Sequence, residues 1–362
     1  MPEKPIKGEK RYFMTGNEVV AYAALAANAD IMYGYPITPQ NEIMHYWTRM
    51  APKYGKEFLQ TEDELSAGFT TVGGVLAGRK SFTATAGPGN TLMQEPISMA
   101  EAMRLPIVVV VQQRGGPSTA TVIYSQQEVT MTTIGGNGEG FRIVYSTATH
   151  QELYDYTIKA FNTAWKYRFP TFVLGDGYQA KMRESLTMYD PEERGIKLIP
   201  PEPFVGKPGV PGVDRPPAQY RNTYNVEEEI YEIVKAYAGE FESISAEVAE
   251  YESLAATESD LVVVSHGVVS RAVKEAVNEL REAGVKVGYF RPITLRPLPV
   301  KELREVAGKA KVMLMAESAQ GQLARLVKDA VYGCTADMIP LYKPGMGITA
   351  EEVASKVRSI LG

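Results

Sequence analysis

Between Gly16 and Met182 the chain alternates short runs rich in β-branched and aliphatic residues with longer amphipathic runs, and this alternation constrains the fold most. It spells βαβ units around a parallel sheet, an α/β layer architecture. Asn17 to Ala27 reads as a helix with Val19, Val20, Ala23 and Leu25 as apolar surface, and Ile31 to Tyr33 as a strand running into Gly-Tyr-Pro-Ile-Thr-Pro. Thr38 is expected to cap the next helix, with Pro39 at its first position and the helix continuing through Trp47.

The same grammar continues downstream. Phe58 to Gln60 and Ser81 to Thr85 read as strands, Leu65 to Leu76 as a helix, and Ala86-Gly87-Pro88-Gly89 as a turn into a helix from Thr91. The unbroken run Ile107 to Val111 suits a central strand buried on both faces. Leu153 to Trp165 reads as a helix and Thr171 to Leu174 as a strand. Seven prolines between Pro200 and Pro217 cannot continue helix or strand and mark a linker. Residues 226–256 are acidic and helix-prone, and the pattern from Leu261 to Met315 spells a second, smaller α/β domain. The expected division is 1–195, a linker with a connecting helix over 196–257, and 258–362.

Composition removes several classes of function. The run Ile107 to Val111 is far short of the roughly 20 apolar residues that cross a bilayer, so no membrane span is expected. The opening MPEKPIKGEKRYFM lacks the apolar core of a signal peptide, and a cytoplasmic location is expected. Cys334 is the single cysteine, so neither an internal disulfide nor an iron–sulfur cluster can be built from this chain alone. A net charge of −5 offers no basic field for nucleic acid.

Ligands of parallel sheets bind beyond the carboxyl ends of the strands, which singles out four loops. Gly34 to Pro39 presents a hydroxyl on a stiff loop, or is a capped turn. Gln60-Thr61-Glu62-Asp63-Glu64 places three carboxylates at a helix start, where the helix dipole alone would favour them. Small residues at Ala67 and Gly68 would let a ring or another backbone approach one of these carboxylates. Ala86-Gly87-Pro88-Gly89-Asn90 offers backbone N–H groups for an anion, or simply turns the chain. Arg114-Gly115-Gly116-Pro117-Ser118-Thr119 follows the most buried strand and suits capture of a carboxylate, although a surface arginine is the plain alternative.

Other signals carry less. Gly175-Asp176-Gly177 resembles the start of the thiamine diphosphate magnesium motif, but Glu202 and Pro203 stand where its asparagine is needed, so no metal site is assigned to this chain. His45, His150 and His266 lack ligand spacing. Gly136 to Gly140 is not a dinucleotide fingerprint, and neither a Gly-x-Ser-x-Gly nor a Walker pattern is present.

Taken in order, GYPITP, QTEDE followed by small residues, TATAGPGN and QRGGPST resemble the alpha subunit of 2-oxoacid:ferredoxin oxidoreductases of the 2-oxoglutarate or branched-chain type. The resemblance covers nearly the whole chain, continuing through YFRPITLRPLP and Glu317 to Gln322. It implies a pyrimidine-type thiamine diphosphate-binding parallel-sheet domain followed by a smaller transketolase C-terminal-like α/β domain. It also implies a beta subunit that completes the thiamine diphosphate site and carries magnesium and an iron–sulfur cluster, with gamma and delta subunits as further members. The implied reaction is oxidative decarboxylation of a 2-oxo acid with coenzyme A, electrons passing to ferredoxin.

In that family a glutamate bonds N1′ of the aminopyrimidine, so that the cofactor conducts its own acid–base catalysis. The family's offsets to small residues fit Glu64 through Ala67, Gly68 and Gly73, whereas from Glu62 they reach Leu65, Ser66 and Thr71, so Glu62 is the alternate. By resemblance Arg114 binds the substrate carboxylate, Thr38 contacts substrate or cofactor, and Tyr35, Pro36, Ile37, Gly87 and Asn90 are the cofactor contacts. The chain departs from the family twice: Ala120 to Ile123 replace the usual continuation of QRGGPST, which bears on substrate choice, and Gly135 to Gly140 lacks the histidine many relatives carry nearby. Two alternatives stay open: a non-redox thiamine-dependent decarboxylase or transketolase-like subunit, and a non-catalytic scaffold. A cysteine-rich, brown co-purifying partner separates the first from the oxidoreductase, and unchanged turnover in Glu64→Gln would favour the second.

Overall fold

The computed structural model describes residues 6–205 and 220–362. The proline-rich linker read between Pro200 and Pro217 falls mostly outside the described residues.

A seven-stranded sheet runs in the spatial order Thr294–Arg296, Ile143–Ser146, Thr171–Asp176, Val108–Gln113, Ser81–Thr85, Ile31–Gly34 and Glu57–Gln60. Every neighbouring pair is parallel except the first. Val108–Gln113 is central and buried throughout, as its run of valines requires. Helices Gly16–Ala26, Asn41–Met50 and His150–Tyr167 bury Val20, Trp47 and Phe161 on one face of the sheet. Helices Glu64–Leu76 and Gln94–Ala102 cover the other face together with the C-terminal unit. A separate antiparallel pair joins Lys10–Thr15 to Arg183–Met188.

The C-terminal unit is a five-stranded sheet ordered Asp337–Tyr342, Val312–Glu317, Leu261–Val264, Val287–Pro292 and Tyr251–Leu254. Its edge strand Tyr251–Leu254 follows the acidic helix Glu227–Val248 and pairs antiparallel with Tyr289 to Pro292. In exchange, Thr294–Arg296 leaves this unit and joins the edge of the larger sheet. The two units therefore share one apolar core, in which Val109 and Val111 pack with Val262, Val264, Met313 and Met315. Among the described residues no helix is long and apolar enough to cross a membrane.

Two helix starts differ from the sequence reading. The second helix begins at Asn41, not at Thr38 or Pro39, because the Ile37 carbonyl accepts both the Gln40 and Asn41 N–H groups and a turn occupies the expected first positions. Thr38 therefore caps nothing, and its peptide with Pro39 is cis. After Gly87 the helix Pro88–Leu92 starts at the proline rather than at Thr91.

Candidate active site

The carboxyl ends of the parallel strands bring the four predicted loops to one edge. The three consecutive carboxylates separate there into three environments. Asp63 caps its helix by accepting the Ser66 N–H at 2.7 Å, and Glu62 is exposed and accepts the Ser66 hydroxyl at 2.7 Å. Glu64, the first helical residue, is only 5% exposed. Its burial raises the carboxyl above the usual range; Asp63 pushes the same way, while a hydrogen bond to its own backbone and the charge of Arg114 oppose the shift.

Gly89 lies directly against this group. A Cβ there would fall 2.5 Å from Glu64 Oε1 and 2.3 Å from Thr85 Oγ1, so only glycine leaves room for both side chains. The Thr85 hydroxyl is buried without a hydrogen-bond partner. The small residues of the helix play a different part: a Cβ at Gly68 would meet the Pro96 ring at 2.3 Å, so this glycine lets two helices pack.

Arg114 is 4% exposed, and its Nη1 donates to the Thr38 carbonyl at 2.9 Å while its Nε lacks a partner. Gly87, with φ +55°, approaches it so closely that a Cβ would sit 2.5 Å from Arg114 Nε. The loop before Thr38 is held from behind, where Gln40 Nε2 donates to the Tyr35 carbonyl at 3.0 Å and Asn17 Nδ2 to the Pro39 carbonyl at 2.6 Å. Tyr35 and Ile37 are half-buried and Pro36 is exposed. The Asn90 side chain is enclosed, donating to Glu128 Oε1 at 3.2 Å and Thr132 Oγ1 at 3.1 Å and accepting from Gln94 at 3.0 Å. What it can offer a ligand is therefore loop shape rather than a free amide.

Glu128, which the motifs did not single out, joins these loops. Its Oε1 accepts the Gly87 N–H at 2.8 Å and its Oε2 the Arg114 N–H at 2.9 Å. Burial raises this carboxyl too, against those two N–H groups, Asn90 and the Arg114 charge. In the sequence it is one polar residue in Ser-Gln-Gln-Glu, with no spacing to mark it. A hollow of about 460 Å³ opens beside Gly87 and Arg114, lined also by Pro88, Leu92, Pro117 and Met131.

The donor set is of the kind that the aminopyrimidine of thiamine diphosphate requires. A buried carboxyl whose pKa burial raises, a glycine that leaves its oxygen uncovered and an unpartnered threonine hydroxyl beside it fit the nitrogen-bearing edge of an aminopyrimidine. Among the described residues no group of three His, Cys, Asp or Glu side chains could hold a metal ion. In Gly175-Asp176-Gly177, Asp176 caps a short helix by accepting the Tyr178 and Gln179 N–H groups, each at 3.0 Å.

Fold and site define an α/β protein with a buried acid at the carboxyl edge of its parallel sheet. Residues 22–253 match the family model for pyruvate flavodoxin/ferredoxin oxidoreductase, thiamine diphosphate-binding, and residues 259–354 match pyruvate:ferredoxin oxidoreductase core domain II. The 2-oxoglutarate synthase subunit KorA of Methanocaldococcus jannaschii is 36% identical over 86% of this chain and 89% of its own length. The ketoisovalerate oxidoreductase subunit VorB of Methanothermobacter marburgensis is 32% identical over 96% of this chain and 97% of its own. A solved 2-oxoglutarate:ferredoxin oxidoreductase from Magnetococcus marinus, with 2-oxoglutarate, coenzyme A and succinyl-CoA bound, superposes with a TM-score of 0.86 at 26% identity, covering 97% of this chain. This chain spans 65% of the length of that one. A split-gene transketolase shares the fold, with a TM-score of 0.57 at 12% identity. The chain belongs to the alpha-subunit family of 2-oxoacid:ferredoxin oxidoreductases.

Proposed function

We propose that this chain is the pyrimidine-binding half of a coenzyme A-dependent 2-oxoacid:ferredoxin oxidoreductase, converting a 2-oxo acid to its acyl-CoA and CO2. The observation that carries this reading is Glu64, buried, its carboxyl raised above the usual range by that burial, and facing the gap that Gly89 leaves. Thiamine diphosphate, when bound, supplies the nucleophilic carbon and the electron sink for cleaving a 2-oxo acid. Glu64 holds the proton at the pyrimidine N1′ position. Arg114, its guanidinium braced on the Thr38 carbonyl, would take the substrate carboxylate, and the Thr38 side chain would contact substrate or cofactor. Tyr35, Pro36 and Ile37 form the wall on one side, and the backbone around Gly87 and Asn90 forms the wall on the other.

The rest of the machinery belongs to other chains. A beta subunit closes the site and supplies magnesium and the iron–sulfur cluster; gamma and delta subunits and ferredoxin complete the assembly in the cytoplasm. Residues 1–195 would form the cofactor-binding domain, 196–257 the linker and connecting helix, and 258–362 the transketolase C-terminal-like domain, except that Tyr251–Leu254 is an edge strand of the C-terminal sheet and Thr294–Arg296 lies on the larger one.

Both 2-oxoglutarate and branched-chain acids such as 2-oxoisovalerate remain within this reading. An apolar tail would lie against Leu92 and Met131, whereas a second carboxylate needs a cation besides Arg114. The test is the native complex assayed against a panel of 2-oxo acids with coenzyme A and a viologen dye. Dye reduction dependent on both substrates supports the proposal; decarboxylation without dye reduction overturns the oxidoreductase reading.

A further inference from the structure

The segment from Ser125 to Thr130 lies between the two units and bonds in opposite directions. Toward the C-terminal unit, Gln126 is a fully buried peg. Its backbone N–H donates to the Ser318 carbonyl at 3.0 Å, its Oε1 accepts the Ser318 N–H at 2.9 Å, and its Nε2 donates to the His266 carbonyl at 2.8 Å. Gln322 reaches back from the C-terminal unit, donating through Nε2 to the Gln127 carbonyl at 2.7 Å and accepting the Thr130 N–H on Oε1 at 2.9 Å. Gln322 is itself fixed, because the buried Glu317 carboxylate accepts the N–H groups of Leu323 at 2.9 Å and Ala324 at 3.0 Å, anchoring the start of helix Gln322–Ala330. Toward the larger sheet, Glu128 in the middle of the same segment holds Gly87 and Arg114 by their backbones.

We infer that the C-terminal unit sets the position of Arg114, with Gln126 and Gln322 gripping the segment and Glu128 passing that register to the Arg114 backbone. This inference rests on the reading of Arg114 as the group that takes the substrate carboxylate. It makes Glu128, Gln126 and Gln322 positioning residues, since none needs to touch the substrate. A glutamate at position 128 is chemically suited to this role, because a carboxylate accepts on both oxygens and one side chain can hold two loop amides at once. A glutamine at position 128 has one accepting oxygen, and one of the two loops must be released. Ser125, Gln126, Glu128 and Val129 of the segment are buried, so displacement at Gln322 is carried along it to Arg114.

The test uses the assembled complex and compares Glu128→Gln, Gln322→Ala and Arg114→Ala, alone and with each positioning variant combined with Arg114→Ala. Loss of a binding interaction shared by ground and transition states raises KM and spares kcat. Glu128→Gln should raise KM for the 2-oxo acid by about tenfold and Gln322→Ala by about threefold, with kcat within roughly twofold and KM for coenzyme A unchanged. Added to Arg114→Ala, neither should raise KM further, because coupled residues are not additive. An unchanged KM in both positioning variants, while Arg114→Ala raises it, overturns this inference alone. A parallel loss in kcat and in both KM values, which general loosening would produce, overturns it as well. An unchanged KM in Arg114→Ala overturns the reading of Arg114 and this inference with it. If Glu128→Gln does not assemble, Gln322→Ala decides, since its side chain is only half-buried at a helix start.

Discussion

Arg114 Nη1 donates a 2.9 Å hydrogen bond to the carbonyl of Thr38, tying the loop after the central strand to the loop after Ile31–Gly34. Two loops far apart in sequence thus form a single wall, and a carboxylate captured by the guanidinium would be held at a fixed distance from Thr38.

Arg114→Ala should lower kcat/KM for the 2-oxo acid by about 10- to 150-fold, the range for losing a charged hydrogen bond of ~1.5–3 kcal/mol. Arg114→Lys should not restore it, because an ammonium cannot both reach the Thr38 carbonyl and present a fork. Steady-state kinetics of the complex checks this, with far-UV circular dichroism to confirm folding.

Gly89→Ala places a methyl 2.5 Å from Glu64 Oε1 and 2.3 Å from Thr85 Oγ1. Both side chains must shift, so activity should fall by more than about tenfold while the complex still assembles, since neither side chain holds the helix in place. Activity and size-exclusion profiles measured together separate this outcome from misfolding.

The three carboxylates should separate kinetically as they do structurally. General acid–base groups contribute about 100- to 10,000-fold, and Glu64→Gln should lose at least the lower figure in kcat. Glu62→Gln, on the exposed side of the same helix start, should stay within roughly twofold. Turnover with a viologen dye makes the comparison.

His266 predicts a pH dependence of stability. Its ring is fully buried, with Nδ1 hydrogen-bonded to Ser146 Oγ at 2.9 Å, and burial, aided by the Arg291 charge, lowers its pKa from 6.5 to about 3. Between pH 6.5 and about 3 the unfolded chain therefore binds a proton that the folded chain refuses, and stability falls as pH falls through that window. His266→Asn should flatten this acid slope. Thermal unfolding of wild type and variant across the window measures it.

Much of the fold was legible because strand and helix periodicities are local. Val108–Gln113 is central because a run of valines has no polar face to expose; the offsets to Ala67, Gly68 and Gly73 that the resemblance carries favour Glu64 over Glu62, and the structure buries the first and exposes the second. The Asn41 helix start was hidden because Thr38-Pro39 is a sound cap-and-first-turn signal, overridden by the turn closed on the Ile37 carbonyl. Thr294–Arg296, three residues long, gives no periodicity, and its place on the larger sheet comes from tertiary packing. Glu128 was invisible for a related reason: its partners Gly87 and Arg114 lie 41 and 14 residues away. The small residues Ala67 and Gly68 were legible as close-approach positions, but the structure gives Gly68 to the Pro96 ring.

Glu64, on this reading, holds the proton that primes the cofactor. The most direct measurement is the rate of hydrogen–deuterium exchange at C2 of thiamine diphosphate bound to the assembled complex, followed by quenched flow and NMR in wild type and Glu64→Gln. Exchange should slow by about 100-fold or more in the variant while the cofactor stays bound. Equal exchange rates in the two complexes would contradict the role given to Glu64.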